Sequence, residues 1–223
     1  MAKKPSKYRT HVESLFDGAR EKNYPKNQII CYQGDVLSSI YMVKHGYIKA
    51  YTILDSGDTR TMFILSPGDI FPIAFSLTLD WDSYQLRYFY QSLTDSTLAL
   101  LDHDTFKKMI ETDPQKANIY MEYMGATNEG IMNQLEVMKN KTAKNKVSLL
   151  LPYLISKIGR KVRPNTYELK LKLSHQEIAD LSGITRETTT ALLKELEHEG
   201  VIRQKKSTWE VYLEPNEEEI FLG

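Results

Sequence analysis

Two adjacent side chains, Arg186 and Glu187, form the most specific chemical group in this sequence. An arginine can donate two parallel hydrogen bonds to the O6 and N7 atoms of guanine, and a glutamate can accept one from the N4 amine of cytosine. Thr188 follows directly, and together with Thr189 or Thr190 it can contact a phosphate or a thymine methyl. These residue types suit the edges of DNA base pairs, provided that one exposed element presents them together.

The local sequence predicts that this element is the second helix of a helix-turn-helix. Ser174 is a favourable N-cap, and Glu177 three residues later completes a capping box. Gly183 ends the first helix, Thr185 caps the second helix, and Gly200 ends it. A short helix, a turn containing glycine and a second capped helix have the arrangement of that motif.

A wing is predicted after the second helix. Residues 201–202 and 209–213 alternate as two strands should, and the turn between them, 203–207, is basic. The lysines of this turn and the polar residues at the start of the first helix are expected to hold phosphate, which positions a protein without specifying sequence. The predicted DNA-binding residues are Ser174, His175, Gln176, Thr185, Arg186, Glu187, Thr188, Thr190, Lys205 and Lys206.

The charge distribution supports a nucleic-acid partner for the same region. The formal net charge is zero, but residues 139–206 contain 15 Lys and Arg against 7 Asp and Glu. The rest of the chain contains 14 basic and 22 acidic residues. A basic third beside an acidic remainder is typical of a protein in which one domain meets phosphate. Chance clustering of solvated lysines explains the charge equally well, and the helix-turn-helix within the basic part decides for double-stranded DNA.

The composition excludes several other classes of protein. Hydrophobic residues at 41% and charged residues at 26% are typical of a soluble globular protein, and no apolar run could span a membrane. Cys31 is the only cysteine, which excludes a disulfide, a four-cysteine zinc site or an iron–sulfur cluster within one chain. No signal peptide is recognisable, so a reducing, cytoplasmic location is predicted. Catalytic and nucleotide-binding motifs are lacking, so no enzyme activity, cofactor or metal is assigned.

The remainder of the chain predicts an α+β protein with a β-roll ahead of the DNA-binding part. From 28 to 101, short strands alternate with turns that contain glycine or aspartate, as in a sandwich or jelly roll. The predicted domains are a β-roll sensor over 1–112, a dimerisation helix over 113–142 and a winged helix-turn-helix over 143–223.

Four further predictions concern local structure. A first helix is expected at about 11–19. Pro152 predicts a kink or a break in a helix over 147–158. Residues 159–165 are predicted to form a basic turn, and residues 167–171 a strand that leads to the helix-turn-helix.

A long helix is predicted from 114 to about 141, with Pro114 at the tolerated first position. Its apolar residues recur every seven positions in two rows, which is typical of a coiled-coil seam and indicates a homodimer. An amphipathic helix packed on its own domain would give the same pattern. Gly125 and Gly130 mark a place where the helix can bend. The predicted seam residues are Ala117, Met121, Met124, Asn128, Ile131, Leu135 and Met138.

The order of a β-roll, a long helix and a winged helix-turn-helix resembles the cyclic-AMP-receptor/fumarate–nitrate-regulator (CRP/FNR) family of bacterial transcription regulators. The resemblance rests most on residues 173–179 (LSHQEIA) and 183–188 (GITRET), and the roll adds similar turns at 34–35, 46–49 and 67–71. It implies a double-stranded β-helix fold for the roll, a homodimer, a palindromic operator and contact with RNA polymerase.

The chain departs from the family's pattern in two places. The family often has a further polar reader near the position of Ala191, and alanine cannot form that bond, so the half-site is expected to differ from that of the cyclic-AMP receptor. A cyclic-nucleotide roll carries a Gly-Glu pair and then an Arg-Ser or Arg-Thr pair. This chain has residues 71–75 (FPIAF) and 86–88 (LRY) there, with Arg87 one step out of register. Control by a cyclic nucleotide is therefore not expected.

Haem ligation is a second hypothesis for the roll, with Cys31, His45 and His103 as available axial ligands. A lone histidine in a β turn is more often a surface residue, and a cysteine in a strand is more often a small buried hydrophobe. A lowered pKa would instead make Cys31 a redox switch.

An aromatic segment over 71–90 is either the core of the roll or a pocket for an unknown small-molecule effector. Aromatic residues dominate protein cores, which favours the first interpretation. The same sequence also fits a regulator without any ligand, or a ligand-binding module that acts through a protein partner. A cupin-type enzyme would share the β-roll but would need clustered histidines with a carboxylate, and the roll offers only His45, His103 and scattered acidic residues. The candidate effector contacts are Phe71, Phe75, Trp81, Tyr84, Arg87 and Tyr88.

Overall fold

The computed structural model describes residues 7–72, 83–138, 142–206 and 208–214 of the chain. The chain divides into two compact units, Lys3–Glu129 and Gly130–Gly223. The division falls within one long helix, Pro114–Met138, which belongs partly to each unit. The predicted boundaries at 112 and 142 lie on either side of this helix, and the three-domain division stays a prediction.

The described part of the first unit contains eight strands in two antiparallel sheets. One sheet has the strand order β1-β8-β3-β6 and the other has the order β2-β7-β4-β5. The strands are β1 (Arg20–Tyr24), β2 (Ile29–Cys31), β3 (Ser39–His45), β4 (Ile48–Ile53), β5 (Thr59–Leu65), β6 (Ile70–Phe71), β7 (Phe89–Ser92) and β8 (Ser96–Asp102). This is the predicted roll, and its strands lie within a few residues of the expected positions except β1 and β6, which were not expected.

Strand β3 is buried on both faces because the first unit has a hydrophobic cluster on each side of it. Tyr41 and Val43 belong to the roll cluster, to which strands of both sheets contribute. Ile40 and Met42 alternate with them and belong to the helix cluster, in which Phe106 is also buried. The roll therefore has an interior of its own and a second core beneath its helices.

Three helices flank the roll, namely α1 (Lys7–Ser14), α2 (His103–Thr112) and α3 (Pro114–Met138). The carboxylate of Asp102 caps α2 by accepting hydrogen bonds from the backbone N–H groups of Asp104 and Thr105. Tyr120 and Tyr123 anchor the first half of α3 in the helix cluster. The hydroxyl of Tyr123 accepts a hydrogen bond from Ile70 N at 2.8 Å, which ties α3 to strand β6.

The second unit is a small α/β domain built around a helix-turn-helix. Its sheet has the order β11-β12-β10-β9, and helix α4 packs against α5, α6 and β10. The elements are α4 (Ala143–Ile158), β9 (Gly159–Arg163), β10 (Thr166–Leu169), α5 (His175–Ser182), α6 (Arg186–His198), β11 (Ile202–Gln204) and β12 (Trp209–Tyr212).

Three local predictions are corrected. The first helix ends at Ser14, and residues 15–18 form turns. Residues 159–163 form strand β9 instead of a turn, because they pair with β10 in an antiparallel hairpin. Helix α4 continues through Pro152, which excludes the break, and the alternative of a kink stays a prediction.

No helix in the described ranges is both long and apolar enough to cross a membrane.

Candidate DNA-binding surface

Helix α5 is fixed at both ends by the residues that its sequence predicts. Ser174 Oγ accepts a hydrogen bond from Glu177 N at 3.2 Å, and a carboxylate oxygen of Glu177 accepts one from Ser174 N at 2.6 Å. Gly183 adopts a left-handed conformation with φ of 65° and donates its N–H to Ala179 O at 2.8 Å. The capping box and the glycine stop are thus confirmed, and the turn into α6 is well defined.

Helix α6 begins with Thr185 as its N-cap. Thr185 Oγ1 accepts a hydrogen bond from Thr188 N at 3.2 Å. Thr189 is fully buried, and its hydroxyl donates to Thr185 O at 2.9 Å. Thr189 therefore faces the core with Leu193 and Leu196, which removes it from the threonines that can reach DNA.

Arg186 and Glu187 occupy the first two positions of α6, and both side chains are exposed. Among the described residues neither of them has an ion-pair partner, so both charged groups point to solvent at the start of the helix. Ala191 and Lys194 continue the exposed face by one further turn. The exposed surface of the helix therefore carries Arg186, Glu187, a residue without a polar side chain and a lysine.

The wing is the hairpin of β11 and β12, and several polar contacts fix its position. Gln204 N donates a hydrogen bond to Glu197 Oε1 at 2.9 Å, which joins the wing to α6. Lys172 Nζ donates to Lys206 O at 2.9 Å near the tip. Lys206 itself is exposed. The wing is thus held from both sides while one predicted phosphate contact stays open to solvent.

Glu210 on β12 is buried between basic side chains. Its carboxylate lies 2.6 Å from Lys205 Nζ and 3.2 Å from Arg163 Nη2. The hydrogen bond from Lys205 is the largest cause that lowers the pKa of Glu210, and the charges of Lys205, Arg163 and Arg203 act in the same direction. Lys205 therefore stabilises the wing internally, in addition to any role at phosphate.

Three other predicted contact residues are also engaged within the domain. His175 Nδ1 lies 2.9 Å from Thr190 Oγ1. Gln176 Nε2 donates a hydrogen bond to Asp180 Oδ1 at 2.7 Å. His175 thus contacts α6 and Gln176 bonds within α5, so part of the hydrogen-bonding capacity of these residues is already used.

One structural contact at this surface was not expected from the sequence. Lys144 Nζ, near the start of α4, lies 2.8 Å from Glu195 Oε1 and 2.6 Å from Glu199 Oε1. The two hydrogen bonds raise the pKa of Lys144. The i,i+4 spacing of the two glutamates on one face of α6 is the available sequence signal, although it does not identify the partner.

Comparisons with known proteins identify the family of this chain. The family model of the cyclic nucleotide-binding domain matches residues 21–113, and the model of the Crp-like helix-turn-helix domain matches residues 148–213. The chain is 26% identical over 200 residues to the cyclic AMP receptor protein of Thermus thermophilus, covering 90% of this chain and 87% of that protein. It is 24% identical over 187 residues to the fumarate and nitrate reduction regulatory protein of Yersinia pestis, covering 83% and 72%. The chain belongs to the CRP/FNR family.

A solved structure supports the same fold. FixK2 from Bradyrhizobium japonicum matches with a TM-score of 0.71 at 20% identity, covering 91% of this chain and 96% of that chain. The predicted fold class, a β-roll, a long helix and a C-terminal winged helix-turn-helix, is confirmed. The protein thus has the fold of a CRP/FNR-type DNA-binding transcription regulator.

In this CRP/FNR chain, α3 has apolar residues on two different faces. Tyr120 and Tyr123 are buried in the helix cluster. Met121 is 63% exposed, Met132 is 60% exposed and Ile131 is 39% exposed. Of the predicted seam residues, Met121 and Ile131 thus lie on a face of α3 different from that of the two buried tyrosines.

The remaining seam residues are placed as follows. Asn128 is exposed, whereas Ala117 and Met124 are half-buried, and Met124 packs against the helix cluster. The side chains of Leu135 and Met138 lie outside what the structure describes.

The aromatic residues of the roll lie mainly in its interior. The ring of Phe71 stacks between those of Tyr41 and Tyr90, with centroid distances of 5.1 and 4.8 Å. Tyr84 and Tyr88 are half-buried and pack against the roll cluster. Phe75 and Trp81 lie outside the described residues.

Arg87 is exposed while its neighbour Leu86 is buried, so the two side chains point to opposite sides. The predicted strand begins at residue 86, whereas β7 begins at Phe89 and Arg87 lies in a bend ahead of it, so the register argument does not apply to Arg87.

The three candidate haem ligands do not meet in one site. His45 is exposed at the end of β3, as expected for a histidine in a β turn, whereas His103 is 1% exposed. His103 is buried because it begins α2 directly beneath β8. Cys31 is the predicted buried hydrophobe, and burial raises the pKa of its thiol to about 12, opposite to the shift that a reactive thiolate needs. The described residues contain no cluster of three metal-ligating side chains.

Proposed function

We propose that this CRP/FNR protein is a homodimeric transcription regulator that reads a palindromic DNA operator without control by a cyclic nucleotide. The observation that carries the proposal is the exposure of Arg186 and Glu187 at the capped start of α6. Side chains at this position of a recognition helix meet base edges in the major groove. The surrounding contacts hold the helix rigidly, which makes a defined approach to the bases feasible.

The two readers have complementary chemistry. Arg186 can donate both of its forked N–H groups to one guanine, and Glu187 can accept from a cytosine amine. Ala191 offers only a methyl group one turn later, so polar readout ends early on the helix. Lys206 of the wing and the exposed residues at the start of α5 support binding through phosphate contacts.

The exposed apolar row of α3 supports a homodimer. Met121, Ile131 and Met132 expose large apolar side chains on a helix that already buries its tyrosines against the roll. A second copy of the same helix would cover this row in the manner of a two-stranded coiled coil. Such a dimer carries two copies of α6, so the half-sites are expected about one helical turn apart, roughly 34–36 Å.

The roll supports independence from cyclic nucleotides. A ribose and a cyclic phosphate need a carboxylate and an inward-facing arginine, whereas Phe71 is stacked in the core and Arg87 points to solvent. An unknown effector that contacts the aromatic segment, or no effector at all, fits these residues better. Contact with RNA polymerase and a cytoplasmic location follow from the proposed role on chromosomal DNA.

The experiment that tests the proposal is selection of duplexes from a random DNA pool with the full-length protein. We expect a palindromic consensus with guanine in each half-site, bound equally well with and without cyclic AMP or cyclic GMP. Recovery of unrelated sequences that bind only at low salt, together with a tightly bound protein partner, would instead favour the regulatory module that acts through a protein.

A further inference from the structure

The contact between His175 and Thr190 joins the two helices of the motif. His175 is the first residue of α5, and Thr190 lies in the second turn of α6. The Nδ1 atom of the imidazole lies 2.9 Å from Thr190 Oγ1. The same hydroxyl lies 2.8 Å from the backbone oxygen of Arg186, one turn earlier on α6.

The direction of both hydrogen bonds follows from the number of protons. A threonine hydroxyl has one proton to donate, and a backbone carbonyl oxygen can only accept. The proton of Thr190 therefore goes to Arg186 O. The bond to His175 must then be donated by the imidazole, which places a proton on Nδ1.

This arrangement restricts what Thr190 can offer to DNA. Guanine O6 and N7, thymine O4 and the phosphate oxygens are all acceptors, and the hydroxyl of Thr190 has no proton left for them. The side chain is only half-buried, so a part of it still reaches the exposed face of α6. One lone pair of the hydroxyl and the γ-methyl group remain unused, and the natural apolar target of the methyl in the major groove is the C5-methyl of thymine.

The imidazole is held from a second side by the wing. The rings of His175 and Trp209 meet edge to face, with centroids 6.2 Å apart and planes at 77°. Trp209 begins β12 and is 1% exposed, so it forms a fixed wall. The wing, α5 and α6 thus converge on one ring that sets the orientation of the Thr190 hydroxyl.

We infer that His175 is a positioning residue for base recognition, and that through it Thr190 reads a thymine methyl in each half-site. The inference rests on the proposed function, because it specifies one contact of the proposed reading helix. It assigns to His175 a role different from a phosphate contact, and it gives the operator one position that is recognised without a polar bond.

The test uses the operator selected by the full-length wild-type protein. Each thymine is replaced symmetrically in both half-sites by deoxyuridine, which lacks only the C5-methyl group, and affinity is measured by mobility shift. Loss of one buried methyl contact corresponds to about a fourfold loss of affinity per half-site, or about fifteenfold for the palindrome. We expect this loss at one symmetric position, and at that position T190S, which keeps the hydroxyl but lacks the γ-methyl group, should lose the dependence on the thymine methyl.

Variants of His175 separate positioning from a merely structural role. The amide nitrogen of asparagine occupies the place of Nδ1, so H175N should keep the thymine-to-deoxyuridine ratio, whereas H175L should reduce it to less than about twofold. Replacement of guanine by 7-deazaguanine reports Arg186 separately and should affect wild type and H175L alike, which also shows that H175L is folded.

The outcomes distinguish this inference from the proposed function. An operator in which no thymine methyl matters, or an H175L protein with the full wild-type ratio, would overturn the inference alone. A protein that selects no operator would overturn both.

Discussion

The two units of this protein differ in where their notable side chains lie: they are exposed in the second unit and buried in the first. The helix-turn-helix exposes Arg186 and Glu187 on a helix whose ends and flanks are braced, whereas the roll buries a stack of Tyr41, Phe71 and Tyr90. A site for DNA must present available polar groups to a partner of known shape, and local sequence shows such groups. Aromatic side chains that pack against each other inside the roll indicate a stable core, but they do not identify a ligand.

The largest expected difference between the units concerns two exposed arginines. R186A removes one bidentate guanine contact per half-site, each worth about 1–3 kcal/mol, so affinity for the selected operator should fall at least about 30-fold. Weak binding that depends on salt should survive, because phosphate contacts remain. R87A removes the same charge from the roll and should bind within about twofold of wild type in a mobility-shift titration. Equal losses of operator affinity for R186A and R87A would contradict the proposed difference between the two units.

Substitutions in the interior of the roll should lower stability, in contrast to R186A, which should lower DNA affinity. F71A removes a ring that is 1% exposed and stacked on both sides, and should destabilise the first unit by about 3–5 kcal/mol in denaturant unfolding. Y32A removes a ring that is 52% exposed and should cost much less. A small effect of F71A would mean that this part of the roll is not a packed core.

The long helix α3 belongs to both units, and a substitution in its exposed apolar row should change the oligomeric state. M121E places a charge in the exposed apolar row and should give a monomer in light scattering. Operator affinity should fall about 100-fold, because a monomer carries one helix-turn-helix instead of two linked copies. A126E carries the same charge on the exposed side away from this row and should remain dimeric. Dimeric M121E protein would exclude this row as the interface.

A smaller effect tests the cap that orients the motif. S174A removes the side-chain half of the capping box and should lower the stability of the second unit by about 1 kcal/mol in thermal or denaturant unfolding. S156A removes an exposed hydroxyl that bonds only within its own helix, at Tyr153 O, and should be close to neutral. A neutral S174A would indicate that tertiary packing alone holds α5.

The smallest effect depends on pH. Because the folded state lowers the pKa of Glu210, its ion pairs stabilise the second unit above the ordinary pKa of a glutamate, and that stabilisation is lost as the pH falls through the folded value. The melting temperature of E210Q should therefore lie below that of wild type at pH 7, and the difference should shrink under acidic conditions. E111Q, on the exposed surface of α2, should show no such convergence.

The sequence predicts most accurately where local signals specify structure. Ser174, Glu177, Gly183 and Thr185 lie where predicted because caps and stops depend on residues only a few positions apart. Strand β1 was missed because four of its five residues are exposed, so it lacks an alternating apolar pattern and is fixed only by pairing with β8.

Contacts between distant residues were the main source of error. His103 was considered as a haem ligand, but it lies buried at the junction of β8 and α2, apart from the exposed His45. The bond between His175 and Thr190 spans fifteen residues, and no local pattern of either helix predicts it. The capped helix that carries Arg186 and Glu187 could thus be predicted, whereas the contacts between distant residues around it could not, and the reading role of the two residues stays a prediction.

Footprinting of the full-length protein on its selected operator tests the central claim most directly. We predict two protected segments related by a dyad and about one helical turn apart, with one guanine in each whose methylation at N7 interferes with binding by wild type but not with the residual binding of R186A. A single asymmetric footprint, or guanine interference that persists in R186A, would contradict the account.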